Sequence, residues 1–233
     1  MSKIVVIHQP DFLPYLGFFH RLLRADQFVV LDNVQFVSGT SRSWTNRDKI
    51  KTTQGERWLT LSIEKHPRGT PIHDIKLSQS VNWRRNNLDL LEQNYKRARF
   101  YNEMHSNLEN LYGYEYSLMI EINMKSIYML CELLDIQIEM VYASTLGCDG
   151  RKNELLVNIL NKVNATHYLS GIGAKDYFQP KPFDQAGIQV CWQEFEHPIY
   201  PQLHGNFIPF LSSIDLLYNC GIKESRRYIR RKT

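Results

Sequence analysis

Four branched apolar residues in a row, positions 4–7, run into the polar cluster His8-Gln9-Pro10-Asp11 near the start of the chain. An uninterrupted apolar run of that length predicts a short strand buried on both faces, as inside a parallel sheet. Pro10 and Pro14 end it, and Leu16, Phe19, Leu22 and Leu23 then recur at helical spacing. Residues 28–31 are a second apolar run, ending at Asp32, so the opening unit reads strand, polar loop, helix, strand. Open α/β sheets hold ligands beyond the carboxyl ends of their strands, which places His8, Gln9 and Asp32 at adjacent ends of one such crevice.

Residues 33–50 are too rich in Ser, Thr, Asn and Gly for a buried element and predict a long loop anchored by Phe36, Trp44 and Ile50. Alternation over residues 57–63 predicts a strand with one covered face, residues 66–71 a turn, and Ile72, Ile75 and Leu77 another short strand. Helical periodicity follows, with Leu88, Leu91 and Tyr95 on one face, later Leu118, Ile122, Ile127, Leu130 and Leu134, and a break at Gly113. Then come a strand over 136–141, a helix over 154–160, and a strand over 166–170 that enters the turn Gly171-Ile172-Gly173. A last strand over 188–192 and a helix over 211–219, capped by Ser212 or Ser213, complete the pattern. Strands alternating with helices predict one α/β domain over residues 1–233. Its largely parallel, Rossmann-like sheet is flanked by helices, with a helical insertion at about 83–134.

Composition narrows the class. At 233 residues, 43% hydrophobic and 12% aromatic, the chain can bury a core without metal or disulfide help. Cys131, Cys148, Cys191 and Cys220 show no short metal or redox spacing, and no helical histidine pair has ligand spacing, so neither a disulfide framework nor a metal site is expected. The amino terminus enters a strand without a signal-peptide pattern, and no apolar run approaches a membrane span; a cytoplasmic protein is expected, with no membrane insertion. Part of the formal charge of +4 lies in the last eight residues, Arg226 to Thr233, which read either as a contact for nucleic acid or acidic lipid or as a solvated helix end.

Several polar residues offer chemistry. His8 reads equally as a satisfied structural histidine or as a base, since a neutral imidazole near its usual pKa of about 6.5 suits proton abstraction at cellular pH. Asp32 is the second candidate base, while Gln9, Gln35 and Asn46 orient polar groups. Arg47 and the Gly171–Gly173 turn are the expected phosphate holders, because a guanidinium and backbone N–H groups both match phosphate oxygens. Asp11, Ser170, Tyr177 and Gln202 complete the expected substrate-binding set.

Nearly the whole chain resembles the WbqC-like proteins. The matching positions are His8-Gln9-Pro10 with Pro14 and Gly17, Asp26 and Asp32 with Val34-Gln35-Phe36, Asn46-Arg47 with Ile50, and Trp58, Trp83 and Tyr95. They continue through Ser170-Gly171-Ile172-Gly173 with Tyr177, Tyr200 and Gln202, and Leu211-Ser212 through Asp215-Leu216-Leu217 with Asn219 and Gly221. His20 stands where that family often carries Lys or Gln. The resemblance implies a role in bacterial surface-polysaccharide (O-antigen) synthesis: transfer of an amino acid, above all glycine, to the amine of a nucleotide-linked amino sugar. The activated donor would be an adenylate made with ATP or an aminoacyl-tRNA. The first strand, proline loop, Gly17 and helix also look like the opening unit of the nucleotidylyltransferase and pantoate-ligase superfamily, although Tyr15 and Phe18 replace the two histidines that flank its glycine. A non-catalytic nucleotide-sugar-binding or scaffold protein is the alternative expectation.

Overall fold

The computed structural model describes residues 2–37 and 43–231. Its centre is a five-stranded sheet of β1 (Ile4–His8), β2 (Gln27–Val30), β5 (Glu139–Tyr142), β6 (His167–Ser170) and β7 (Gln189–Trp192). The strand order is β5-β2-β1-β6-β7 and every pairing is parallel. Winding starts at β1, moves outward through β2 to β5, then returns to the other side of β1 for β6 and β7. The carboxyl ends of β1 and β6 therefore flank the point where the winding reverses, the place where doubly wound sheets open a ligand crevice.

Strand periodicity sorts the core into two layers. Val6, Phe28, Val30 and Leu169 face a large apolar cluster with α1 (Leu16–Leu22), α4 (Met119–Leu134) and α7 (Ser213–Arg230). Val5, Ile7, Val29 and Tyr168 pack on the opposite side with α5 (Asn153–Lys162) and α6 (Pro180–Gln185). The middle helices, α2 (Trp83–Tyr95), α3 (Tyr101–Gly113) and α4, lie on the crossover from β2 to β5 and share the first cluster. The aromatic residues of this region pack between helices: Tyr95 and Tyr218 stack at 4.5 Å, and Tyr101 adds to the same stack.

Several boundaries differ from expectation, among them β5, which starts at Glu139 rather than at 136. The long polar loop ends at Arg47, where β3 (Arg47–Thr52) begins and pairs antiparallel with β4 (Gly55–Thr60); residues 38–42 of that predicted loop lie outside the described residues. The strand was hidden because its buried positions include Asp48 and Lys51. Residues 72–74 form a 3-10 turn rather than a strand, with only single bridges pairing Ile63 to Leu77 and Lys76 to Leu118. A second break, at residues 96–100, separates α2 from α3 without any glycine or proline to announce it. The helix predicted to end at 219 kinks at Gly221, at φ 74°, and helical backbone continues beyond the kink to Arg230; a Cβ on Gly221 would lie 2.6 Å from the Phe100 ring. Only glycine meets both demands there.

The basic end of α7 has structural work. Arg226 Nε donates to Leu133 O at 2.8 Å and Arg230 Nη1 donates to Leu134 O at 2.8 Å. Both arginines thus satisfy carbonyls at the carboxyl end of α4 that its own helix leaves unpaired.

Candidate functional site

A cavity of about 770 Å³ opens where the winding reverses. The end of β1 brings His8 and Gln9 to it, the following loop Asp11 and Tyr15, and α1 Arg21. The approach to β3 brings Trp44 and β3 itself Asp48, while the end of β6 adds Ser170 and the turn from Gly171 to Tyr177. Gln193, Phe195 and Phe210 close the remaining side.

The loop after β1 is held from behind. Asn123 on α4, wholly buried, donates through Nδ2 to Pro10 O at 2.7 Å and Thr45 O at 2.6 Å. Leu13, at φ 45°, donates its N–H to Ser126 Oγ, and the hydroxyls of Ser212 and Ser213 each donate at 2.6 Å to Leu13 O and Pro14 O. Two helices from distant parts of the chain therefore set the position of Asp11. Cavity-forming loops need such rigid support if their polar groups are to keep a fixed geometry.

His8 Nδ1 lies 2.9 Å from Gln9 O and 3.6 Å from Asp11 Oδ2. A carbonyl only accepts, so Nδ1 carries the hydrogen and Nε2 keeps its lone pair. Desolvation, then the Arg21 charge, lower the His8 pKa from 6.5 to about 3, and the imidazole is neutral at cellular pH. Asp11 moves the other way: desolvation raises its pKa from 3.8 to about 7, against the opposing pull of Arg21 and the Thr45 hydroxyl. Burial also raises Asp48 well above the carboxylate range, with the nearby Asp11 adding to the effect and the Lys49 N–H, at 2.6 Å, opposing it. A neutral base and a carboxyl that titrates near pH 7 thus sit side by side, the kind of divergence that assigns acid and base roles.

Arg21 was not singled out in the sequence. It is 4% exposed, its Nε has no hydrogen-bond partner, and among the described residues no carboxylate lies within 4 Å of its guanidinium. Its signal was a charge inside the otherwise apolar helix LGFFHRL, every residue of which is buried. Asp48, Tyr15, Trp44 and Gln193 were also missed as site residues; Asp48 was the one acid in a stretch read as loop, and the others carried no pattern of their own.

Of the expected set, His8, Gln9, Asp11, Ser170, Gly171, Gly173 and Tyr177 line the cavity. Asp32, Gln35, Asn46, Arg47 and Gln202 are not among its lining residues. Asp32 instead accepts from Ser144 N–H at 2.8 Å and Ser144 Oγ at 2.6 Å, tying the end of β2 to the end of β5. Gln35 bridges to Pro71, and buried Asn46 faces Leu61 O. Arg47 lays its guanidinium 4.0 Å from the Trp58 ring and donates to Ser43 O. Gln202 Oε1 accepts from buried Lys51 Nζ and from Ile208 N–H, fastening the 202–208 loop. His204 contacts Asn94 O through Nε2 at 2.7 Å and is not among the lining residues. His20 lies behind the cavity wall, where Gln193 Nε2 donates to Gly17 O at 2.8 Å and to His20 Nδ1 at 3.1 Å. Asp215, wholly buried, accepts from Tyr95 and Tyr200 hydroxyls and belongs to the core.

Among the described residues no helix is long and apolar enough to cross a membrane. No solved structure gives a significant match to the chain. A curated relative, the uncharacterized protein Rv1507c of Mycobacterium tuberculosis (strain ATCC 25618 / H37Rv), is 30% identical over 232 residues, covering 99% of this chain and 98% of the relative. The profile of the WbqC-like protein family matches residues 9–227, from Gln9 in the cavity to the last turns of α7. With that span covering the β1 loop, the helix that braces it and the Gly171 turn, the chain belongs to the WbqC-like protein family.

Proposed function

We propose that the protein transfers an aminoacyl group, above all glycyl, to the amine of a nucleotide-linked amino sugar, forming an amide during bacterial surface-polysaccharide synthesis. The observation that carries the reading is the His8–Asp11 pair in the cavity, one group neutral and the other titrating near pH 7. The sugar binds with its amine uncharged. His8 Nε2 accepts a hydrogen bond from the amine and orients its lone pair toward the acyl carbon. Attack forms the C–N bond, the C–O bond to the leaving group breaks, and the nitrogen proton passes to Asp11. AMP leaves as its anion if the donor is an adenylate; a ribose oxygen takes the proton from Asp11 if the donor is an aminoacyl-tRNA.

The test supplies the full chain with nucleotide-linked amino sugars and glycine, plus either ATP or charged tRNA, and follows product mass. Growth of a sugar by one glycyl unit is expected, with AMP release or tRNA dependence choosing between donors. Asp11→Asn should lower turnover roughly 100-fold or more with sugar affinity kept, as removal of a general base does. Asp32→Asn should leave turnover within about threefold, because a residue outside the cavity contributes no proton transfer. Sugar binding without turnover under either donor would favour a nucleotide-sugar-binding protein instead.

A further inference from the structure

We infer that Arg21 is the oxyanion receptor of the cavity and takes a phosphoryl group of the substrate against the Gly171 turn. The inference rests on the cavity being the substrate site, but not on acyl transfer occurring there. An unpaired guanidinium removed from water is costly, and folds retain such a charge where something else satisfies it. Arg21 lines the cavity, 4% exposed, with Nε unpartnered and, among the described residues, no carboxylate within 4 Å. Asp11, which titrates near pH 7, and Asp48, whose pKa burial raises further from the ordinary value, supply no permanently charged partner to it. The protein therefore presents a fixed cation to the cavity without a matched internal counter-ion.

The turn is shaped to it. A Cβ on Gly171 would lie 3.1 Å from Arg21 Nη1, so glycine lets the guanidinium come against the strand end, whereas a Cβ on Gly173 would meet nothing within 4 Å. An oxyanion bound to Arg21 here lies beyond the end of β6, beside β1, at the reversal of winding. Carboxylate and phosphate share this chemistry, and the dimensions favour phosphate. The cavity of about 770 Å³, with Trp44, Tyr177, Phe195 and Phe210 among its walls, suits a nucleotide-sized ligand, and an amino acid alone would leave most of it empty.

Isothermal titration of the full chain with inorganic pyrophosphate, UDP and, separately, glycine tests this. Pyrophosphate and UDP should bind wild type, and Arg21→Met should weaken both by roughly tenfold or more, as expected for loss of a charge-assisted contact. Arg21→Lys should recover part of the affinity, and Arg47→Ala should change it less than about twofold, since a screened charge outside the cavity contributes little. An anion beside Arg21 offsets its pull on Asp11, so titrations near pH 7.5 in buffers of different ionisation enthalpy should show proton uptake that disappears in Asp11→Asn. Unchanged phosphate affinity in a folded Arg21→Met protein, or no binding of either phosphate ligand by wild type, overturns the inference. Arg21-dependent binding of glycine without binding of phosphate overturns the phosphoryl assignment. Arg21-dependent phosphate binding without glycyl transfer leaves the inference standing and removes the proposed reaction; glycyl transfer indifferent to Arg21 does the reverse.

Discussion

The Tyr15 ring lies directly over Gly17, where a Cβ would come 2.4 Å from Cε2 and 2.5 Å from the phenol oxygen. The glycine of the first helical turn is thus a packing requirement that sets where the cavity's phenol stands. Tyr15 meets Phe195 and Phe210 edge-on at 6.2 and 6.3 Å, so moving the ring disturbs one whole wall. Gly17→Ala should cost about 1–3 kcal/mol of stability through overpacking and weaken UDP binding. Adding Tyr15→Ala should recover most of the stability. Purely additive effects in the chemical-denaturation cycle would disprove the contact as the cause.

Asp11 makes stability depend on pH in a defined direction. In the folded protein its carboxyl ionises near pH 7, against an ordinary value of 3.8. Below about pH 4 both states hold the proton and the burial costs nothing; as pH rises toward 7 the unfolded chain releases it first, and stability falls. Asp11→Asn should therefore melt at higher temperature than wild type at pH 8 and at nearly the same temperature at pH 4. The pH 8 gain has a ceiling of about 4 kcal/mol. An equal gain at both pH values would rule out ionisation as its source.

The histidines work in the opposite sense. Desolvation lowers His8 to about 3 and His20 to about 4, whereas an unfolded histidine takes its proton near 6.5. Their contribution is present above pH 6.5 and is lost as pH falls toward 4. The double variant His8→Gln, His20→Gln should thus show a shallower loss of melting temperature between pH 6.5 and 4.5 than wild type, and an unchanged slope would refute this account.

Asn123 joins the Pro10 and Thr45 carbonyls to α4 from a position with no solvent access. Asn123→Ala leaves both acceptors buried, at a cost of about 2–4 kcal/mol. Because those carbonyls belong to the loop that bears Asp11 and to the approach to β3, which bears Asp48, UDP affinity should fall as well. A shift in urea midpoint with ligand affinity intact would show that the clamp serves the core alone.

Arg226 and Arg230 are occupied with α4 carbonyls at Leu133 and Leu134. Replacing both with Ala should cost about 1–3 kcal/mol, the worth of two charge-assisted bonds at a helix end. Affinity for tRNA, if the donor is charged tRNA, should change little. A large drop in tRNA affinity with stability unchanged would return the tail to nucleic-acid contact.

Parallel strands were legible because their signal is local: residues 4–7 and 28–31 are apolar without interruption, and each is followed by residues that end a strand. The β3 strand was not legible, since Asp48 and Lys51 are buried by what lies across from them. Lys51 is tolerable there because Gln202, Gly205 and Asn206, about 150 positions away, accept from its ammonium.

The site divides along the same line. His8, Gln9 and Asp11 followed from their place after a buried strand, and the Gly171 turn from its place after another. Asp32 has the same local credentials as His8, yet it caps the end of β5 while the crevice opens on the β6 side of β1. No local pattern could distinguish them, because the choice depends on which strand becomes the neighbour of β1 after more than 130 intervening residues. Arg21 shows the other limit. Its burial is written in the apolar helix around it, but the absence of a counter-ion arises from the positions of Asp11 and Asp48 after packing. Periodicity determined most of the segments that became strands and helices, since that depends on neighbours a few residues apart; β3 and residues 72–74 are the exceptions. Which charges would face one another across a cavity was decided by tertiary structure, because electrostatic and desolvation energies depend on distances through space that the chain order does not contain.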